Sequence, residues 1–229
     1  MLSEPAIDEV FRRFALRKPD QDVVPEVKVK DTVFKSLVSV MLSAQSRDAN
    51  TAKATAKLFA VADDPAEILA LSEEQLQALI KDAGLYRAKA RNIRRMCRVL
   101  LDELGGEVPR TREAMMRLPG VGRKSADIML RFVFGEAAIA VDTHVFRVSR
   151  RLGLAVGRAE AGVARELEAR VPARWRWGAH IWLLEHGKQV CRSRRPRCEA
   201  CHLADLCERN GVDPSIPRGD AGAGIADAA

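Results

Sequence analysis

The chain has 229 residues, and 47% of them are hydrophobic, so it can form one large domain or two small ones and is not globally disordered. Its formal net charge is +7, which favours a polyanionic partner such as nucleic acid. It contains no apolar run long enough to span a membrane and begins with no signal-peptide pattern, so we expect a cytoplasmic protein.

Apolar residues recur at helical spacing along most of the chain, and no stretch alternates with period two for long enough to predict a strand. The predicted fold class is therefore all-α. A loop marked by two prolines is predicted at 18–30. The predicted helices cover 3–17, 31–44, 47–61, a segment from Ser72 to about Lys81, 87–104, one segment on each side of 118–122, a segment from Asp142 to Leu152, 159–170 and 175–188.

Two of these helices begin with specific capping signals. Ser72 and Gln75 have the spacing of a capping box, and Asp142 stands in an N-cap position. The segment 31–44 is largely apolar, which predicts a buried core helix. The segment 87–104 is amphipathic and places its arginines and lysines on the outer face.

The segment LPGVG at 118–122 separates two helical patterns and has the features of a tight hairpin. Pro119 cannot continue a helix, whereas Gly120 and Gly122 can adopt positive φ and leave no side chain in the way. The backbone N–H groups of such a hairpin can approach a phosphate closely.

A lysine and an aspartate follow this hairpin. Lys124 stands at the start of the second helical pattern, and Asp142 comes eighteen positions later. An amine and a carboxylate beside a bound phosphodiester suggest chemistry on nucleic acid. The alternative for an isolated turn of this kind is an ordinary helix–turn–helix with a solvated lysine.

Four of the five cysteines lie within seventeen positions, and the fifth, Cys97, belongs to the apolar face of a helical pattern. In a reducing compartment such a group indicates a metal site rather than disulfides. Four thiolates suit either tetrahedral zinc or a four-iron cluster, and the spacing leaves both open. The four cysteines are Cys191, Cys198, Cys201 and Cys207.

Arginines fill the interval between the first two of these cysteines. If a metal holds this loop, their guanidinium groups point in fixed directions and form a phosphate-binding patch. A solvated charge run is the alternative. The arginines are Arg192, Arg194, Arg195 and Arg197.

Several ordered motifs resemble the endonuclease III family of DNA glycosylase/AP lyases. They are LPGVGRKSA, VDTHVFRVSRRLGL and the four-cysteine loop, together with MLSAQ and GLYRAKA upstream. The resemblance covers roughly 30–208. It implies two helical lobes with a DNA-binding cleft between them: a six-helix barrel with a helix-hairpin-helix at 24–136, and an iron–sulfur lobe formed by 1–23 and 137–213. We expect 214–229 to be a disordered tail.

The resemblance also implies roles for individual residues. Lys124 corresponds to the Schiff-base lysine and Asp142 to the catalytic aspartate. Gln45 fills the gap left by a flipped nucleotide, and Leu85 wedges into the opposite strand. The four cysteines hold a 4Fe–4S cluster. The remaining expected DNA contacts are Gly120, Val121, Gly122, Arg123, Arg47, His144 and the four loop arginines.

The implied activity is bifunctional. The enzyme would remove oxidised or damaged pyrimidines from double-stranded DNA and cleave the resulting abasic site by β-elimination. It would act as a monomer at the bacterial nucleoid. Three residues depart from the family pattern: Arg47 after the wedge glutamine, Asp127 in place of an amide, and Arg150 in place of asparagine. We expect Arg47 and Asp127 to lie close to the lesion pocket.

Two other functions are less consistent with the residues. A mismatch-specific adenine glycosylase lacks a lysine at the position of Lys124. A non-catalytic DNA-binding or electron-transfer protein needs neither Lys124 nor Asp142 at these positions. The tryptophans Trp175, Trp177 and Trp182 are predicted to belong to the core rather than to stack on bases.

Overall fold

The computed structural model describes residues 1–17 and 32–219, which contain helices and turns but no β-strand. The all-α prediction is confirmed for these residues. None of the described helices is long and apolar enough to cross a membrane. In chain order the helices are α1 Glu4–Arg17, α2 Val33–Ser43, α3 Asp48–Phe59, α4 Pro65–Ala70, α5 Glu73–Leu79, α6 Tyr86–Glu103, α7 Arg112–Met115, α8 Arg123–Phe132, α9 Thr143–Leu152, α10 Glu160–Arg170 and α11 Ala173–Gln189, followed by a 3₁₀ turn at Cys198–Ala200.

The chain divides into two compact units. We call Val24–Glu136 the middle unit, and Met1–Val23 together with Ala137–Ala229 the terminal unit. The predicted loop at 18–30 lies outside the described residues.

The middle unit is built around α2, which packs against α3, α6 and α8. This helix is apolar on almost every side, as predicted for a core helix, and Leu37, Val38 and Leu42 are fully buried. Helix α6 also packs against α4 and α5, and α7 packs against α8. Cys97 is buried in the apolar face of α6, as predicted.

Local capping signals explain where several helices begin. Ser72 and Gln75 form the predicted capping box at the start of α5. Helix α4 was not predicted, although its start carries a clear signal: Asp64 caps the backbone N–H of Glu67, and Pro65 occupies the first turn. The missed helix has only six residues, which is too short for periodicity to identify.

The terminal unit has its own apolar core. Helix α1 packs against α11, and α9 packs against both α10 and α11. Trp175 and Trp182 pack against this core, as predicted, whereas Trp177 is 41% exposed. The core side chains include Ile7, Val10, Phe11, Phe14, Val145, Val148, Leu152, Val163, Leu167, Leu183 and Leu184.

Part of the segment predicted as a disordered tail, 214–219, belongs to the described chain and contacts the cysteine loop. Arg218 donates hydrogen bonds to the carbonyl oxygens of Ala204, at 2.9 Å, and Cys207, at 2.8 Å. The backbone N–H of Gly219 donates to the carbonyl oxygen of Cys198, at 3.2 Å. These contacts fix the segment against the cysteine loop. The predicted tail beyond it, 220–229, lies outside the described residues.

Candidate active site

The hairpin between α7 and α8 depends on Gly120. This residue has a φ of +82°, and a Cβ atom here would lie 2.8 Å from Cβ of Asn92 and 3.0 Å from Cε of Met41. A larger residue would therefore be both strained and sterically excluded. Gly122 differs from the prediction because it has a φ of −92° and caps α8 in extended conformation. A Cβ at Gly122 would meet no atom within 4 Å, so the space beside this residue is empty.

Lys124 lies in the first turn of α8 and is exposed. The backbone N–H groups of this first turn have no partner within the helix and are available to an anion. Arg123 precedes Lys124 and is partly buried. The hairpin thus presents an accessible amine beside donors that suit a phosphate.

Asp127, which is expected close to the lesion pocket, has a buried carboxylate. Its side chain is 1% exposed and pairs with Nε of Arg112 at 2.5 Å. A second contact joins its other oxygen to Nε of Arg123 at 3.4 Å. The carboxylate is therefore turned into the middle unit, where it holds α7 to the start of α8.

Gln45 and Leu85 share an unusual backbone conformation. Their φ values are +52° and +59°, in the left-handed region that residues other than glycine rarely adopt. Strain of this kind costs on the order of 1–3 kcal/mol per residue and clusters at functional sites. Leu85 is 61% exposed, and Gln45 is also exposed. Both predicted wedge side chains therefore project from strained turns.

The two turns are held together by Ser46 and Gly84. The backbone N–H of Gly84 donates to Oγ of Ser46 at 2.7 Å. A Cβ on Gly84 would lie 2.4 Å from the carbonyl oxygen of Gln45, so the turns approach closely only because this residue is glycine. Their separation is consequently fixed by backbone contacts.

Lys89 on α6 completes this connection, and the sequence analysis missed its role. Although it is a lysine, it is only 8% exposed. Its Nζ donates to the carbonyl oxygen of Leu42 at 2.7 Å and to Oγ of Ser46 at 3.0 Å. Burial lowers the pKa of Lys89 to about 8. The sequence signal for this role was the position of Lys89 on the apolar face of α6, since the other basic residues of this helix lie away from that face.

A shallow pocket of about 160 Å³ lies between these elements. It brings the two predicted wedge residues and the hairpin glycine together in the middle unit. Arg47, in contrast, does not line it; this residue is exposed at the N-terminus of α3. The lining residues are Met41, Ala44, Gln45, Leu85, Ala88, Lys89, Asn92 and Gly120.

Substituting Lys89→Met should weaken the DNA binding expected from the sequence about tenfold, equivalent to about 1.4 kcal/mol, because Leu42 and Ser46, which flank Gln45, lose their hydrogen bonds to α6. Lys81→Met, which alters an exposed lysine, is the matched control. Unchanged binding by the Lys89 variant would show that the turns hold their geometry without this residue.

The pH dependence of the free energy of unfolding should also show that Lys89 is buried. In the unfolded chain a lysine stays protonated up to about pH 10.5, whereas the folded protein releases this proton near pH 8. Between these values the unfolded state binds more protons, so the free energy of unfolding rises with pH. Denaturant titrations from pH 8 to 10.5 should show this rise in the parent protein relative to Lys89→Met. Parallel pH profiles would contradict it.

Asp142 lies in the terminal unit and is the N-cap of α9, as predicted. Its Oδ1 accepts the backbone N–H groups of His144, at 2.9 Å, and Val145, at 2.8 Å. The preceding residue, Val141, is buried in the core. Two backbone donors thus orient a half-buried carboxylate that stands at a helix N-terminus.

His144 is partly buried against the same helix. Its Nδ1 lies 3.2 Å from Nη2 of Arg147. Gly187 of α11 lies so close that a Cβ there would be 2.9 Å from Cβ of His144. The Cβ of His144 is therefore packed against α11, while part of the side chain remains accessible.

All four clustered cysteines line one cavity in the terminal unit. They are free thiols, and backbone N–H of Arg209 lies 3.3 Å from Sγ of Cys207. Burial raises the pKa of Cys201 to about 12 and that of Cys207 to about 11. A cationic group would reverse this effect, since metal coordination deprotonates a thiol. Among the described residues no three side chains form a ready site for a single metal ion.

Two arginines of α9 hold the cysteine loop, and neither was identified from sequence. Arg147 donates to the carbonyl oxygens of Cys191, at 3.0 Å, and Gly187, at 2.8 Å. Arg151 donates to those of Arg192, at 2.7 Å, and Ser193, at 2.8 Å. The four predicted loop arginines, 192, 194, 195 and 197, are exposed.

The hairpin and its surroundings match a known family. Residues 38–173, more than half of the chain, match the HhH-GPD superfamily base excision DNA repair protein family. The class defined by fold and site is therefore a base excision DNA repair protein.

Comparison with individual relatives identifies the family within this class. Endonuclease III of Escherichia coli strain K12 is 47% identical over 175 residues, covering 76% of this chain and 83% of the relative. Endonuclease III of Treponema pallidum is 41% identical over 212 residues, covering 93% and 99%. A solved structure of a trapped endonuclease III–DNA covalent intermediate has a TM-score of 0.83 and 39% identity, covering 91% of this chain and 97% of that one. The chain belongs to the endonuclease III family.

Proposed function

We propose that this chain is a DNA base-excision-repair glycosylase and AP lyase that removes damaged pyrimidines and cleaves the abasic site through a lysine Schiff base. The observation that carries the proposal is the exposed Lys124 in the first turn of α8, directly after the hairpin. The similar endonuclease III captured as a covalent intermediate with DNA supports a covalent step in this chain as well.

Lys124 is the proposed nucleophile. Its neutral amine attacks C1′ of the damaged nucleotide as the bond to the base breaks, and the sugar ring then opens by cleavage of the C1′–O4′ bond, with a proton passing to O4′, to give an iminium. The resulting iminium acidifies the C2′ protons. Loss of one such proton expels the 3′ phosphate by β-elimination, and hydrolysis of the imine then frees the lysine. Hairpin donors beside Lys124 hold the phosphate backbone during these steps.

Asp142 is the proposed catalytic carboxylate. As the base leaves, positive charge develops on the sugar, and a nearby carboxylate stabilises it. The two backbone donors at Oδ1 orient the group, which leaves the second oxygen to act on substrate or on a proton.

Gln45 and Leu85 are proposed to keep the duplex open. The target base must leave the stack, which costs a few kcal/mol and is cheaper for a damaged base. The strained turns and their ties to Ser46 and Lys89 support a pre-organised pair of inserting side chains. Arg47 and His144 remain proposed contacts to the DNA.

The cysteine cavity is proposed to hold a 4Fe–4S cluster. Four thiols around one cavity, with a backbone N–H directed at a sulfur, fit the donor set of such a cluster. Bound there, the cluster would deprotonate Cys191, Cys198, Cys201 and Cys207 and join them into one rigid loop. The loop arginines at 192, 194, 195 and 197 would then grip DNA phosphates.

We further propose that the protein acts as a monomer in the cytoplasm, at the bacterial nucleoid.

Product analysis tests the function. On a duplex with one oxidised pyrimidine, the enzyme should release the base and leave a cleaved strand with a 3′ unsaturated aldehyde. The same duplex without the lesion should stay intact. Base release that leaves an uncleaved abasic strand would instead indicate a glycosylase without lyase activity.

A further inference from the structure

A second cavity of the middle unit is framed almost entirely by arginines. It has a volume of about 220 Å³ and is lined by Arg91, Arg94, Arg95, Arg98 and a single acidic residue, Glu73. None of these residues belongs to the hairpin or to the wedge turns. We refer to this cavity as the arginine pocket.

The arginines line one side of α6. Arg91, Arg95 and Arg98 are exposed and follow one another at intervals of four and three residues, which places them on the same helix face. Within the described parts of the chain, none of these three side chains forms an ion pair. Arg94 differs, because it donates to the carbonyl oxygens of Ile68 and Leu71 and is thereby fixed in place.

Glu73 does not neutralise this group of charges. Its Oε1 accepts a hydrogen bond from Nε2 of Gln77 at 3.0 Å. Four guanidinium groups therefore face one carboxylate across the cavity. Like charges at this helical spacing repel each other, so an anion is the ligand that would relieve the repulsion.

We propose that the arginine pocket binds the phosphate backbone of duplex DNA that flanks the lesion. The proposal rests on the proposed function, which brings DNA to this unit. Helix α6 begins directly after the wedge residue Leu85. At about 1.5 Å per residue, Arg91 lies about 9 Å and Arg98 about 20 Å farther along the helix. The pocket thus begins about 9 Å along α6 from the wedge residue, on a neighbouring face of the same helix.

Guanidinium chemistry determines what the pocket recognises. The planar fork of an arginine matches the oxygens of a phosphate, and such contacts carry no information about the base. The pocket should therefore add affinity that is equal for damaged and undamaged duplexes. Its contribution should also fall as salt increases, because phosphate neutralisation releases counterions.

The double variant Arg91→Gln/Arg95→Gln tests this contact. DNA affinity is measured between about 50 and 200 mM salt on a duplex with a stable abasic-site analogue. The slope of log affinity against log salt should fall by about 0.9 for each lost phosphate contact. Arg158→Gln/Arg165→Gln, two exposed arginines of the terminal unit, removes the same net charge and is the matched control. Equal slopes for the two variants would overturn the proposal.

Duplex length separates flanking backbone from a free anion. Shortening the DNA from one side of the lesion should abolish the difference between the parent protein and Arg91→Gln/Arg95→Gln once that side no longer reaches the pocket. The DNA assignment would be overturned if the difference in affinity between the two proteins persisted at the shortest duplex and inorganic phosphate removed it at constant ionic strength. That result would indicate a small-anion site.

Strand cleavage distinguishes this proposal from the proposed function. At saturating DNA the double variant should cleave an abasic duplex at the parent rate, because the pocket contains no residue of the lyase step. Absence of cleavage by the parent protein would contradict the lyase activity while leaving the salt slopes interpretable.

Discussion

Lys124→Gln should lose the cleavage of abasic DNA almost completely. The amide cannot form a Schiff base, so we expect the rate to fall about 1000-fold or more, equivalent to about 4 kcal/mol of transition-state stabilisation. Binding and folding should persist because the side chain is exposed and lies at the start of α8. Cleavage is measured in single-turnover reactions on a duplex with one abasic site.

Lys53→Gln is the appropriate control for Lys124→Gln, since it removes one exposed positive charge from another helix of the same unit. It should cleave at the parent rate. Slow base release without strand cleavage is expected in the Lys124 variant, since Asp142 can still assist hydrolysis of the glycosidic bond. Normal cleavage by Lys124→Gln would remove this residue from the nucleophilic role.

Cys198→Ser should lose the metal centre. Protein purified without oxygen should be yellow-brown with about four irons per chain, whereas the variant should be colourless. Without the cluster the arginine loop keeps only its hydrogen bonds to Arg147 and Arg151 and is less firmly fixed, so DNA affinity should fall about tenfold, equivalent to about 1.4 kcal/mol. Iron content, visible absorbance and DNA affinity are measured on the same preparations.

Cys97→Ala provides the control for this experiment, because Cys97 is a buried cysteine of α6 outside the cavity. It should retain iron and colour. A colourless parent protein with one zinc ion per chain would contradict the iron–sulfur proposal and select the alternative that cysteine spacing leaves open.

Features with a local cause could be predicted from the sequence. The Ser72–Gln75 capping box needs only residues three positions apart, and the Asp142 cap needs only the helix that follows it. The burial of α2 follows from its largely apolar sequence. In each case the interacting groups are close in sequence, so the pattern itself carries the signal.

Features with a distant cause could not be predicted. Lys89 binds the carbonyl oxygen of Leu42, 47 residues away, and Arg151 binds that of Arg192, 41 residues away. Any residue supplies a backbone carbonyl, so no sequence motif marks such an acceptor. The burial of Asp127 was not predicted for a related reason: its pairing with Arg112 depends on how α7 packs against α8.

The same limit applies to the end of the described chain. Residues 214–219 have the composition of a loop, yet Arg218 finds carbonyl acceptors on the cysteine segment. Composition predicts the absence of regular structure there, but it does not predict docking. Roles assigned to Lys124 and Asp142 came from resemblance, because no local sequence pattern shows which lysine or aspartate takes part in a reaction.

Mapping the covalent adduct is the most direct test of the central claim. The parent protein is incubated with an abasic duplex and borohydride, and the trapped complex is digested and sequenced by mass spectrometry. The lysine Schiff-base mechanism predicts a single modified peptide in which the reduced sugar is attached to Nζ of Lys124. An adduct on another residue, or no adduct under conditions that cleave the strand, would contradict it.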